Sequence, residues 1–120
     1  MKVKELQTAL KQFEKTLPLQ FEYVDDNYGI SCDVLSTNII QEDTNIILVS
    51  TYLDNRAKKI HSVKDLLNII KNFDKELNVM VKYHDTELGT MLVHVNSIDK
   101  QTEVDEFNEK FEYCILNKVM

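Results

Sequence analysis

The chain has 120 residues, 43% of them hydrophobic and 28% charged, and a formal net charge of −6. This is enough chain for one domain with its own core, and the excess of acidic residues, with Arg56 as the single arginine, disfavours binding to nucleic-acid phosphates. The sequence also lacks an apolar run of about 20 residues and a signal-peptide core, so we expect no membrane contact and a cytoplasmic location, or the host cytoplasm for a phage-encoded protein.

The first predicted element is a helix, because its apolar residues recur at helical spacing. Alternation of apolar and polar residues from Leu19 to Tyr23 then predicts a strand, which ends in a turn at residues 25–29. A second strand should point Ile30, Cys32 and Val34 inward, and a third covers residues 45–53. The helix stripe consists of Val3, Leu6, Leu10, Phe13 and Leu17.

The second half of the chain gives the same order of elements. Ser62 followed by Asp65 predicts a capped helix start, and a strand and a turn lead to Gly89. If this turn centres near residue 87, His94 pairs opposite Met80. A long surface loop is expected at residues 96–110, before a last strand at residues 110–119.

The two halves match each other without gaps when the chain is shifted by 60 residues. Ten of the 27 positions from 3–29 are identical to those from 63–89, and the two glycines, Gly29 and Gly89, coincide. This match predicts an internal repeat. We therefore expect an α+β fold in a single domain, residues 1–120, with two tandem α-β-β-β repeats, residues 1–53 and 62–120, joined by a linker at 54–61. The expected arrangement has pseudo-twofold symmetry, with an antiparallel sheet and two helices on one face.

Residues that could carry catalysis do not form a recognisable pattern. The sequence has no phosphate-binding glycine loop, nucleophile elbow or zinc-protease motif. His84 and His94 should lie more than about 10 Å apart along their strands, so they cannot share a metal. Asp25 and Asp85 each begin a turn, where an aspartate caps backbone amides. We therefore predict a non-enzymatic protein with no cofactor and no metal, in which Cys32 and Cys114 are small buried residues in a reducing compartment.

Two rows of lysines suggest an alternative function. At helical spacing the three lysines of each half share a face opposite the apolar stripe. This layout resembles the domain plan of DNA sliding clamps, in which related units present basic helices to the duplex, although this chain lacks the leading strand of each clamp unit. The resemblance implies an anionic partner for the rows, and a solvated helix face is the simpler interpretation. The rows are Lys4, Lys11, Lys15, Lys64, Lys71 and Lys75.

Two other surfaces indicate a protein partner. Apolar residues on the outer sheet face, Met80, Leu92, Cys114 and Leu116, together with the doubly apolar "NIILV" strand, predict a cover, either a homodimer partner or a loop. The acidic segment of the long loop could occupy a basic groove on another protein by imitating phosphates. Its residues are Asp99, Glu103, Asp105, Glu106, Glu109 and Glu112.

These features together predict an acidic protein-interaction module. In size, acidity and composition the chain resembles small phage or mobile-element proteins that inhibit host defence enzymes, anti-CRISPR proteins among them. This resemblance implies a host protein as the target. The alternatives are the clamp-like nucleic-acid protein and a self-assembling structural protein.

Overall fold

The computed structural model describes residues 1–118 and confirms an α+β fold with two helices. The helices are α1 (Val3–Leu10) and α2 (Val63–Ile70). The strands are β1 (Leu19–Asp25), β2 (Gly29–Asp33), β3 (Leu35–Ser36), β4 (Ile40–Glu42), β5 (Asn45–Val49), β6 (Lys59–Ile60), β7 (Asn78–Asp85), β8 (Gly89–Val104) and β9 (Lys110–Lys118).

The main sheet has seven strands in the order β2-β1-β9-β8-β7-β5-β4, and β3 pairs with β6 separately. The prediction of an antiparallel sheet is wrong in two places, because β1 runs parallel to β9 and β5 runs parallel to β7. Each parallel pair joins a strand of one half to a strand of the other. Parallel pairing requires a long crossover, which residues 26–109 supply between β1 and β9 and residues 50–77 supply between β5 and β7.

The sheet curves until its two ends approach each other. Leu35, just after β2, forms a β-bridge with Ser50, just after β5. Nearby, the Thr51 N–H donates to the Val34 carbonyl at 2.9 Å, and the Ser50 hydroxyl donates to Asp33 at 2.7 Å. The curved sheet therefore encloses one core, to which both helices contribute.

Both helices are shorter than their apolar stripes predicted. They bury three residues each and end where Lys11 and Lys71 adopt the cap position. Phe13 and Leu17 still pack on the core, but from the turns that follow α1. The chain must be extended from Leu19 onward to form β1, so the helix ends before the apolar stripe does. The stripe residues beyond Leu10 therefore lie in turns.

The start of each helix is held by the opposite half of the chain. The Val3 N–H donates to the Leu77 carbonyl at 2.8 Å, and the Val63 N–H donates to the Leu17 carbonyl at 3.0 Å. Ser62 caps α2 by accepting the Asp65 N–H, as its capping-box pattern predicted. At α1, the Glu5 carboxylate accepts the Lys2 N–H at 2.9 Å, so a side chain and the backbone contact with the other half both support the helix start.

Two strand predictions need correction at β2 and β8. Ile30 and Cys32 are exposed instead of inward, because the register of β2 places them opposite Val24 and Glu22, on the outer face of β1. Cys114, in contrast, is buried. The surface loop predicted at residues 96–110 is mostly strand. A register irregularity between Val95 and Ser97 marks the point where β8 exchanges its partner β7 for β9, and the strand continues to Val104.

The hairpin between β7 and β8 has the register expected from the sequence. Met80 lies opposite His94, and His84 lies opposite Thr90. Gly89 has a φ of 83° and Gly29 a φ of 78°, so the two glycines occupy the left-handed region at the end of equivalent turns. Within residues 1–118, neither helix has the length and apolar character required to cross a bilayer.

Candidate protein-interaction site

A two-stranded hairpin, residues 99–113, extends from the main sheet, and we call it the hairpin arm. It consists of the end of β8, a turn and the beginning of β9. In this region β8 has left β7, whose pairing ends at His94, and β9 has not yet met β1, whose pairing begins at Cys114. All but Asp105 and Tyr113 of its residues are exposed. The arm therefore contributes almost nothing to the core.

Negative charge is concentrated on the hairpin arm. Six acidic residues and two lysines give it a net charge of −4, out of −6 for the whole chain. The acidic side chains are those predicted from the sequence, although they lie on strands and a tight turn instead of a loop: Asp99, Glu103, Asp105, Glu106, Glu109 and Glu112. Such a local field attracts basic surfaces and repels acidic ones.

Cross-strand contacts hold the arm in shape. The Tyr113 hydroxyl donates to the Glu103 carboxylate at 2.7 Å, and this hydrogen bond raises the pKa of Tyr113 to about 12. Lys100 and Glu112 form an ion pair at 3.3 Å on the other face of the arm. An isolated two-stranded hairpin is only marginally stable, so these pairs matter for keeping the arm extended.

Exposed apolar side chains accompany the charges, and the sequence interpretation did not single them out. Val104, Phe107 and Phe111 all lie on the arm with large exposed fractions. Their signal in the sequence is the presence of aromatic residues inside an acidic run that cannot be a core element. The arm thus combines a field for a basic surface with apolar groups that lose contact with water on docking.

The structure separates the residues predicted on the outer sheet face. Leu116 and Cys114 are fully buried on the core side of β9, because Leu116 lies beside Phe21 of β1. Met80 is half-buried and Leu92 is exposed. Leu116 is therefore not on the surface where the prediction placed it.

The apolar strand "NIILV" is covered within the monomer. Ile46, Ile47, Leu48 and Val49 of β5 are all buried. Residues that follow β5 turn back over this side of the sheet, where the Tyr52 ring stacks on His84 with 5.1 Å between centroids. The segment that follows β5 therefore covers the apolar residues on this side of the sheet, where the sequence predicted a cover.

The six lysines do not form two rows along two helices. Only Lys4 and Lys64 lie within helical residues, while Lys11 and Lys71 are caps and Lys15 and Lys75 lie in the following turns. The Lys4 N–H donates to the Lys75 carbonyl and the Lys64 N–H donates to the Lys15 carbonyl, so lysines of opposite halves become neighbours.

The charge of Lys4 is partly matched by an acidic neighbour. Lys4 and Lys2 both contact Glu76, at 2.9 Å and 2.8 Å, and these two bonds lower the pKa of Glu76 to about 2. This neutralisation reduces the field that the predicted lysine row would offer to an anion. The nucleic-acid alternative therefore gains no support from the geometry of α1.

Asp25 and Asp85 close their turns as predicted and also bind each other's turn. Asp25 accepts the N–H groups of Asn27 and Thr86, while Asp85 accepts those of Asp26 and Leu88. Burial raises the pKa of Asp25, but hydrogen bonds, first among them that from the Thr86 hydroxyl, lower it more. The Leu88 N–H is the main cause of the lowered pKa of Asp85.

Both turn aspartates therefore remain ionised acceptors of backbone N–H groups, which is a structural role. In the part of the chain that the structure describes, no three His, Cys, Asp or Glu side chains are grouped closely enough to hold a metal ion. The arm is consequently the surface of the molecule with the clearest features for recognition.

No known protein family, curated protein or solved structure shows significant similarity to this chain. The chemistry of the arm is therefore the only basis for assigning a function to the protein.

Proposed function

We propose that the protein is a non-enzymatic interaction module that docks its acidic hairpin arm onto a basic surface of another protein. The observation that carries this proposal is the projection of a net charge of −4 on 15 exposed or half-exposed residues outside the core. A segment with little core contact and high local charge adds little to folding stability. Its chemistry is suited to recognition instead.

The partner would be recognised by its Lys and Arg side chains. Carboxylates on both strands and on the turn allow contact with a groove that surrounds the arm. A groove of this kind commonly binds nucleic acid, so occupation by the arm would compete with that ligand. Inhibition of a host nucleic-acid enzyme by a phage or mobile-element protein in the cytoplasm is one specific form of the proposal.

Affinity capture with a charge-matched control tests the proposal. The double variant Glu106→Gln and Glu109→Gln removes two charges from the arm. The control, Glu14→Gln and Glu87→Gln, removes two exposed charges elsewhere. A partner recovered from the source cell by the unmodified protein should be retained by the control and lost by the arm variant, and its Kd should rise with salt.

Two results contradict the proposal. The first is equal loss of the partner with both variants, which would indicate non-specific attraction to the net charge. The second is a Kd that stays constant between low and high salt, because a basic–acidic interface must weaken under screening.

We further propose that the chain evolved by tandem duplication of an α-β-β-β unit, with pseudo-twofold symmetry between the copies. Support comes from a reciprocal pair of bonds, Val3 to Leu77 and Val63 to Leu17, in which the two donors are 60 residues apart and the two acceptors are also 60 residues apart. The first half has no counterpart of the arm, because the strand immediately before β5 is the short strand β4. A feature present in one copy alone fits a specialised role for the arm.

A further inference from the structure

The tip of the hairpin arm presents an exposed aromatic side chain on a hydrogen-bonded turn. Phe107 is 77% exposed, the highest exposed fraction among the large hydrophobic residues that the structure describes. It lies between Glu106 and Glu109, which are exposed acidic residues of the same turn. A water-exposed phenyl ring at the end of a projection gains contacts only when another surface covers it.

Hydrogen bonds within the turn order the backbone that carries this ring. Asp105 Oδ1 accepts the N–H groups of Phe107 and Glu109, both at 2.8 Å. The Asp105 N–H donates to the Glu109 carbonyl at 2.9 Å, and Asn108 adopts a φ of 61° to complete the turn. Because the backbone is already ordered, docking of Phe107 loses less conformational entropy than docking of a mobile loop.

We propose that Phe107 is the anchor of the interface, inserted into an apolar pocket of the partner whose rim carries Lys or Arg side chains. This deepens the proposed function and rests on it. Hot-spot residues are commonly aromatic, lie near the centre of an interface and are surrounded by polar contacts that exclude water. Phe107 is aromatic, and exposed carboxylates flank it at the tip of the arm, where they would surround the ring in an interface.

A photo-crosslinking residue in place of Phe107 gives a direct test in the source cell. The control carries the same crosslinker in place of Tyr28, an aromatic residue that is 76% exposed on the β1–β2 turn, also with its N–H bound to an aspartate. We expect one dominant crosslinked protein from position 107 and none from position 28. The crosslinked site should contain apolar residues bordered by Lys or Arg.

Kinetics with that purified partner test the anchor itself. Phe107→Ala should weaken binding by at least about 30-fold, mainly through faster dissociation, the size expected of a hot-spot residue. Tyr28→Ala should change Kd by less than about 2-fold. Asp105→Ala and Glu106→Ala remove the same charge, but only the former releases the turn, so it should weaken binding more.

Different outcomes separate this inference from the proposed function. If arm charges control binding but Phe107→Ala binds within about 2-fold of the unmodified protein, the anchor is refuted and the acidic docking function stands. Crosslinking that is equal from positions 107 and 28 also refutes the anchor. If neither arm charges nor Phe107 affect binding, both proposals fail.

Discussion

Replacement of Leu116 by alanine distinguishes a core residue from an interface residue. Leu116 has no exposed surface and lies beside Phe21, whereas Leu92, the control, is 49% exposed on the neighbouring hairpin. Leucine-to-alanine changes in a packed core lower the free energy of unfolding by about 2.7–5 kcal/mol, because contacts are lost and a cavity remains. We expect about 3 kcal/mol for Leu116→Ala, near the lower end of that range, and less than about 0.5 kcal/mol for Leu92→Ala.

The expected shift in melting temperature follows from chain length. Unfolding entropy is about 2.1 cal/mol/K per residue, or about 0.25 kcal/mol/K for 120 residues. A loss of about 3 kcal/mol therefore lowers Tm by about 12 °C. Urea unfolding followed by circular dichroism measures the free energy, and light scattering on the same samples reports the oligomeric state.

Equal and small effects of the two substitutions would refute this reasoning. So would a dimer that dissociates in Leu116→Ala while the unfolding free energy of the monomer is unchanged, since that result would place Leu116 at a subunit interface. The outcome also bears on self-assembly through the sheet face, because a charged residue at position 116 should unfold the monomer instead of dissociating a dimer.

Three further predictions concern groups outside the hydrophobic core. The folded-state pKa of Asp85 lies below its ordinary value of 3.8, chiefly because its carboxylate accepts the Leu88 N–H. The carboxylate therefore stabilises the fold above pH 3.8, and this contribution is lost as the pH falls through the lower folded-state pKa. Asp85→Asn should flatten this acid dependence in urea unfolding. Ser62→Ala removes the cap of α2 and should cost about 1 kcal/mol in the same assay, a change that Ser62→Thr should largely avoid. Tyr113 should ionise at about pH 12, and Glu103→Gln should lower that value in an ultraviolet titration; an unchanged titration would exclude the bond between them.

Local patterns in the sequence predicted the β7–β8 hairpin well. The β7–β8 register follows from alternation of apolar residues up to Tyr83 and from Gly89, which adopts the positive φ that the turn requires. Parallel pairing of β1 with β9 was not predictable in this way, because alternation shows which side of a strand is buried and says nothing about the neighbour in the sheet. The lysine rows were predicted incorrectly for a related reason. Residues continue at helical spacing beyond Leu10 in the sequence, although α1 ends there.

The candidate site was predictable in its charges and not in its shape. The acidic run at residues 99–112 is evident from composition. Its first strand, the end of β8, was predicted as part of a loop because neither face of the arm is buried, so apolar and polar residues do not alternate there. Its second strand lies within the strand predicted at residues 110–119. Phe107 has a signal in the sequence, as an aromatic residue inside an acidic run, but its position at an exposed tip depends on the arm hairpin, which the sequence analysis did not predict.

The place of β9 in the sheet has a consequence for biosynthesis. This strand leaves the ribosome after every other strand of the sheet, yet it lies between β1 and β8 near the middle of the sheet. Until it arrives, the nascent chain must leave a gap there with unpaired backbone groups on both sides. A neighbouring nascent chain could place its own β9 in that gap, so crowded polysomes would favour a domain-swapped dimer over the monomer.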